Sequence, residues 1–138
     1  MRDVEALTEQ PRFLRGMLAQ ARYRARWPDA APPSIAAAAP SEIAVELYNA
    51  RVTAAVDQPS ELIRIFGDCV AAAQPMTVDA LIRAEAGSAA ETSAIGAISP
   101  AMGPCLWNGQ SIEFSRLTLR AALADGLYRK ATALPVTE

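Results

Sequence analysis

Ten prolines punctuate this 138-residue chain, and four of them fall within WPDAAPPSIAAAAP (27–40). Proline has no amide hydrogen to give a helix, and it pushes the residue before it out of the helical region. The stretch therefore reads as an extended connector over 28–40 that ends one helix and postpones the next. Before it, residues 3–27 carry Phe13, Leu14, Met17, Leu18 and Ala21 at helical spacing, with Arg15, Arg22 and Arg26 on another side. Thr8 offers a cap for this run, and Pro11 fits its first turn.

Residues 41–131 read as a helical core. Ser41 opens a second helix over 41–56 with Leu47, Val52 and Ala55 along one side, although EIAVEL would also suit a short strand. Asp57 and Pro59 start a third helix. Its stripe of Leu62, Phe66, Cys69, Val70 and Ala73 turns Cys69 inward, while Arg64 and Asp68 are spaced to pair on the wet face. Pro75 closes it. A short helix from Thr77 breaks at Gly87, and Ser88 with Glu91 then forms a capping box. The helix opened there passes Ile95 and Ile98 to Pro100, where a kink or restart is expected. Pro104, Asn108 and Gly109 make a turn, SIEF (111–114) suits a brief extended piece, and Ser115 caps a last helix over 116–131. Leu117, Leu119, Ala121, Leu123, Leu127 and Tyr128 surround that helix, which marks it as central. Gly126 within it costs about 1 kcal/mol relative to alanine unless another backbone packs against it.

Apolar residues make up 51% of the chain but aromatic ones only 6%, so alanine supplies much of the apolar content. Alanine favours helix and lets helices approach closely, while burying little area per residue. The expected fold is one all-α domain, a compact bundle of four to six helices. No apolar run reaches the roughly eighteen residues of a membrane span. The start, MRDVEALTEQ, lacks the charged-then-apolar order of a secretory leader, so the chain as written reads as cytoplasmic.

Histidine is absent. That removes the commonest general base, the Cys–His and Ser–His–Asp nucleophile systems and most zinc sites. The two cysteines, 36 apart, form no CxxC or four-ligand pattern, and no phosphate-cradling glycine motif occurs. Glu42/Glu46 and Glu85/Glu91 look like solvated faces and caps. No catalytic residue, metal or cofactor is implied, and the reading is a structural or interaction protein.

Three readings of Cys69 and Cys105 stand open: a disulfide, two buried small hydrophobes, or a reactive thiol. The disulfide is preferred, because closing a loop of that length stabilises by about 4 kcal/mol in the chain-entropy model. It would imply an oxidising, periplasmic or exported setting and a leader missing from this chain. The N-terminal helix holds five arginines between Arg12 and Arg26 with no acid among them. It packs on its own domain, or else Phe13, Leu14, Met17 and Leu18, with Arg15 and Arg22, meet a protein partner or a second copy. Nucleic acid is disfavoured by the acidic net charge of −2. A competing reading places an anionic ligand, in a binding or enzymatic domain, near Trp107, Arg116 and Arg120.

The segments FGDCV (66–70), AGSAAE (86–91), PAMGPCL (100–106) and LRAALADGLY (119–128) together resemble a pattern in small bacterial helical proteins with a cysteine pair. The resemblance covers about the last half of the chain. It implies export and a bonded pair, and it implies no activity.

Overall fold

A computed structural model of the chain describes residues 2–35, 49–54, 59–105 and 115–132. Among these, every regular element is a helix. They are α1 (Arg2–Arg26), α2 (helical over 49–54), α3 (Pro59–Ala73), α4 (Pro75–Arg83), α5 (Ala89–Met102) and α6 (Arg116–Thr132), with 3₁₀ turns at Pro33–Ile35 and Gly103–Cys105. The all-α expectation holds. The start of the second helix at Ser41, the EIAVEL alternative, the Asp57 cap, the Asn108–Gly109 turn and SIEF lie outside the described residues.

Prolines set several boundaries differently from the expectation. Helix α1 runs unbroken past Thr8 and Pro11, so neither marks its start. Pro75 opens α4 rather than merely closing α3, so α4 begins two residues before Thr77. Proline at the first helical position gives up an amide that would be unbonded anyway. Helices α3 and α4 meet at a bend of 107°. Pro100 neither ends nor restarts α5, which continues to Met102. It stands in the last turn, where it removes a single backbone bond and little remains downstream to disturb.

The front of the connector is not a free linker. Ile35 is fully buried beside Tyr23, Phe66 and Leu127 in the core cluster, and its amide donates to the Pro32 carbonyl at 3.3 Å. Burying a side chain of that size contributes about 2 kcal/mol towards holding this proline-rich segment against the bundle.

Helix α6 is the axis of the domain. It packs against α1, α3 and α4, and buries Leu119, Leu123, Ala124 and Leu127. Ser115 caps it as expected, accepting from the Thr118 amide at 3.2 Å. Small residues let the neighbouring helices come close. Gly16 of α1 lies against Ala121, and Gly67 of α3 lies against Ala122. A Cβ on Gly126 would stand 2.6 Å from the Gly67 carbonyl oxygen and 3.1 Å from the Asp68 amide nitrogen. Gly126 is therefore the residue that permits the α3–α6 approach.

On the outer side of that contact, Asp68 pairs with Arg129 of α6 at 2.5 Å and Arg51 of α2 at 3.2 Å. The expected Arg64–Asp68 pair is replaced by these cross-helix partners. Arg129 also pairs with Asp125 of its own helix.

Cys69 of α3 and Cys105, at the end of α5, lie at disulfide distance, with S–S 2.10 Å and Cα–Cα 5.7 Å. Cys105 is buried in the core and Cys69 is half-buried beside it.

Two outcomes follow from this packing. Gly126→Ala should destabilise the protein by about 1–3 kcal/mol in urea unfolding, because overpacking against backbone outweighs the helix-propensity gain of about 1 kcal/mol. Unreduced, denatured protein should show no titratable thiol, and Cys69→Ser/Cys105→Ser should lose about 4 kcal/mol of unfolding free energy.

Candidate functional site

The polar interior is organised by Arg120, an arginine in the middle of the central helix. It is 3% exposed, as is appropriate to a side chain whose donors are met inside the fold. Its Nε donates to Gln20 Oε1 of α1 at 2.6 Å and its Nη1 to Glu91 Oε2 of α5 at 2.9 Å. Its Nη2 donates to the Ile82 carbonyl at 3.2 Å and also to the Ala84 carbonyl, at the end of α4. The last carbonyls of a helix have no partner within it, and a guanidinium is a suitable cap. One cation therefore joins four helices.

Glu91 is buried, not the solvated face expected of it. Its amide bonds Ser88 Oγ at 3.2 Å, as a capping box requires, but its carboxylate accepts from the Gly87 amide at 3.1 Å rather than from Ser88. Gly87 takes φ 79°, which turns its amide towards the carboxylate without the strain that a side chain would meet there. The Gly87 hydrogen bond, and then Arg120, hold the Glu91 carboxyl below its ordinary value.

A second cluster closes the far end of α1. Tyr23, fully buried, donates its hydroxyl to Asp79 Oδ1 at 2.5 Å. Arg83 Nε lies 3.0 and 2.9 Å from the two Asp79 oxygens, and its Nη1 donates to the Pro28 carbonyl at 3.3 Å. Its guanidinium sits 5.4 Å from the Tyr23 ring centroid, within cation–π range. Burial, reinforced by Asp79, raises the Tyr23 hydroxyl well above the ordinary phenol value. Tyr23 also meets Trp27 with ring centroids 5.1 Å apart, and Arg26 covers the Trp27 ring at 4.9 Å.

The sequence-predicted residues now separate. Arg116 is 57% exposed and reaches Thr92 at 3.1 Å and Glu91 at 3.7 Å, whereas each nitrogen of buried Arg120 already has a protein acceptor. The two do not form one ligand-gripping pair, and Trp107 lies outside the described residues. Along α1, Phe13 and Met17 are half-buried, but Leu14 is 58% and Leu18 51% exposed. The inward side of α1 is instead Gly16, Ala19, Gln20 and Tyr23. Arg15 and Arg22 are exposed, and among the described residues neither takes part in an ion pair.

The residues missed as members of these clusters were Gln20, Tyr23, Asp79 and Arg83, and Glu91 was read only as a solvated cap. A signal was present in one case, since an arginine inside LRAALADGL needs buried acceptors somewhere. Among the described residues no three His, Cys, Asp or Glu side chains gather to hold a metal, and no single helix is long and apolar enough to cross a membrane. No protein-family model, curated protein or solved structure matches the chain.

The depressed Glu91 carboxyl sets a pH dependence. Its stabilising effect is complete above the unfolded value of 4.5 and is lost as pH falls through the lower folded value. Melting temperatures between pH 7 and pH 3 should drop on that acid limb, and Glu91→Gln should give a lower but flatter profile.

Proposed function

We propose that the protein is a non-catalytic interaction module that presents the outer face of α1 to an acidic, apolar protein segment. The observation that carries this reading is the exposure of Leu14 and Leu18, one turn apart, on a helix whose opposite side is already sealed by Gly16, Ala19, Gln20 and Tyr23. Packing within the described domain does not account for those two leucines. Ala21 and Ala25, also exposed, continue the same stripe towards the end of α1. Arg15 and Arg22 flank it without acidic neighbours, so charge complementarity favours an amphipathic helix rich in Glu and Leu. The histidine-free composition supports binding rather than acid–base or nucleophilic chemistry.

A designed Glu/Leu amphipathic peptide and a Lys/Leu peptide of the same apolar pattern provide the test, with anionic vesicles as a third probe. The acidic peptide should bind in calorimetry, weaken as salt rises, and shift amide signals of residues 13–25. Leu14→Asp/Leu18→Asp should lose at least about tenfold in affinity while retaining its helical circular dichroism, since each truncated apolar anchor is worth about 1 kcal/mol or more. No preference for the acidic peptide, or binding confined to the vesicles, would overturn the reading.

A further inference from the structure

We infer that the cleft at the C-terminal end of α1 is a binding site for a phosphate group, free or carried on a small ester, held by the Arg24 and Arg83 guanidiniums. The cleft has a volume of about 440 Å³, and the described residues that line it are Arg24, Ala25, Pro28 and Arg83, two cations with no carboxylate among them. It is larger than a phosphate ion, which leaves room for a small organic substituent. This inference is independent of the partner proposed for the leucine face.

Arg83 is built into the wall. Asp79 holds its Nε, the Pro28 carbonyl accepts from Nη1, and the guanidinium lies against the Tyr23 ring. This fixes the plane of the group before any ligand arrives, so little conformational freedom is lost on binding. Its Nη2 is buried and has no hydrogen-bond acceptor in the free protein. Asp79 faces Arg83 from the core side, so the charge of that pair is largely balanced. Arg24 supplies the excess, for it is exposed and forms no ion pair among the described residues. Arg24 and Arg26 also offset the partial negative charge at the C-terminus of α1, which would otherwise repel an anion.

The two guanidiniums stand on different elements, Arg24 on α1 and Arg83 on α4. A planar carboxylate is well matched by one guanidinium fork. A tetrahedral phosphate offers oxygens in more than one plane and can accept from both. That difference decides the ligand class.

The test is a ¹H–¹⁵N titration of the full chain in phosphate-free buffer at constant ionic strength, with inorganic phosphate, glycerol 3-phosphate and acetate as probes. Inorganic phosphate should give saturable shifts at Arg24, Ala25 and Arg83. Tighter binding of glycerol 3-phosphate would assign the group to an organic carrier, and equal binding would assign it to free phosphate. Arg24→Gln should weaken binding about tenfold, the scale of one charge-assisted hydrogen bond. Because Arg24 is exposed, its variant keeps the fold, as an otherwise unchanged spectrum would verify. Leu14→Asp/Leu18→Asp should bind phosphate like the parent chain. Shifts that never saturate, equal binding of acetate, or undiminished affinity in Arg24→Gln would overturn the inference.

Discussion

The arrangement of helices rests on a buried cation. Arg120 leaves the central helix and meets an amide oxygen on α1, a carboxylate on α5 and two carbonyls at the end of α4. Burying a charge is costly, and the arrangement is tolerable because the attraction of Glu91 is joined by neutral acceptors for the remaining donors. The benefit is positional. Apolar side chains can slide over one another at small cost, whereas a guanidinium with acceptors on three neighbouring helices has one place to be. The buried apolar residues are mainly Leu, Ile and Val, with Tyr23 and Phe66, side chains that can be buried in more than one arrangement, and such an anchor chooses among packings that hydrophobic burial alone would leave close in energy.

Small residues make the anchor geometrically possible. The Gly16–Ala121 and Gly67–Gly126 contacts bring α1 and α3 against the backbone of α6. Close axes shorten the reach from Arg120 to Gln20 and allow the Arg129–Asp68 pair to span α6 and α3. Next to Asp68 on α3, the Cys69–Cys105 pair joins that helix to the turn after α5. The two constraints act on different states. A crosslink acts mainly by restricting the unfolded chain, while the Arg120 cluster discriminates among compact ones.

Much of this was readable in advance, for local reasons. Helical periodicity identified α1, α3 and α6, the Ser88 and Ser115 caps reflect rules confined to four consecutive residues, and the special position of Gly126 follows from a penalty that only close packing relieves. The errors came from long-range competition. Asp68 has an arginine one turn before it, but partners on α2 and α6 take it. Glu91 has the spacing of a surface cap, yet its carboxylate lies where Arg120 arrives from 29 residues away. Periodicity also grouped Leu14 and Leu18 with Phe13 and Met17, because a pattern of apolar positions does not say which edge of a wide stripe meets the neighbouring helix. Small and polar residues chose that edge here. Glycine allowed the approach, and Gln20 and Tyr23 found acceptors that apolar side chains cannot use.

That choice bears on how α1 could serve a partner. Withdrawing the helix from the domain would strip Arg120 of the Gln20 oxygen and Asp79 of the Tyr23 hydroxyl, leaving polar groups unpaired in a low-dielectric interior. It would also open the Gly16–Ala121 contact and expose Ile35, which packs in the same core. Exchange of α1 between two chains, or its release as a free peptide, is therefore the expensive route. A partner that meets the outer leucines leaves every one of these contacts intact. The polar inner edge fixes the helix as a rigid platform, and the apolar outer edge is free because the core has taken the other side.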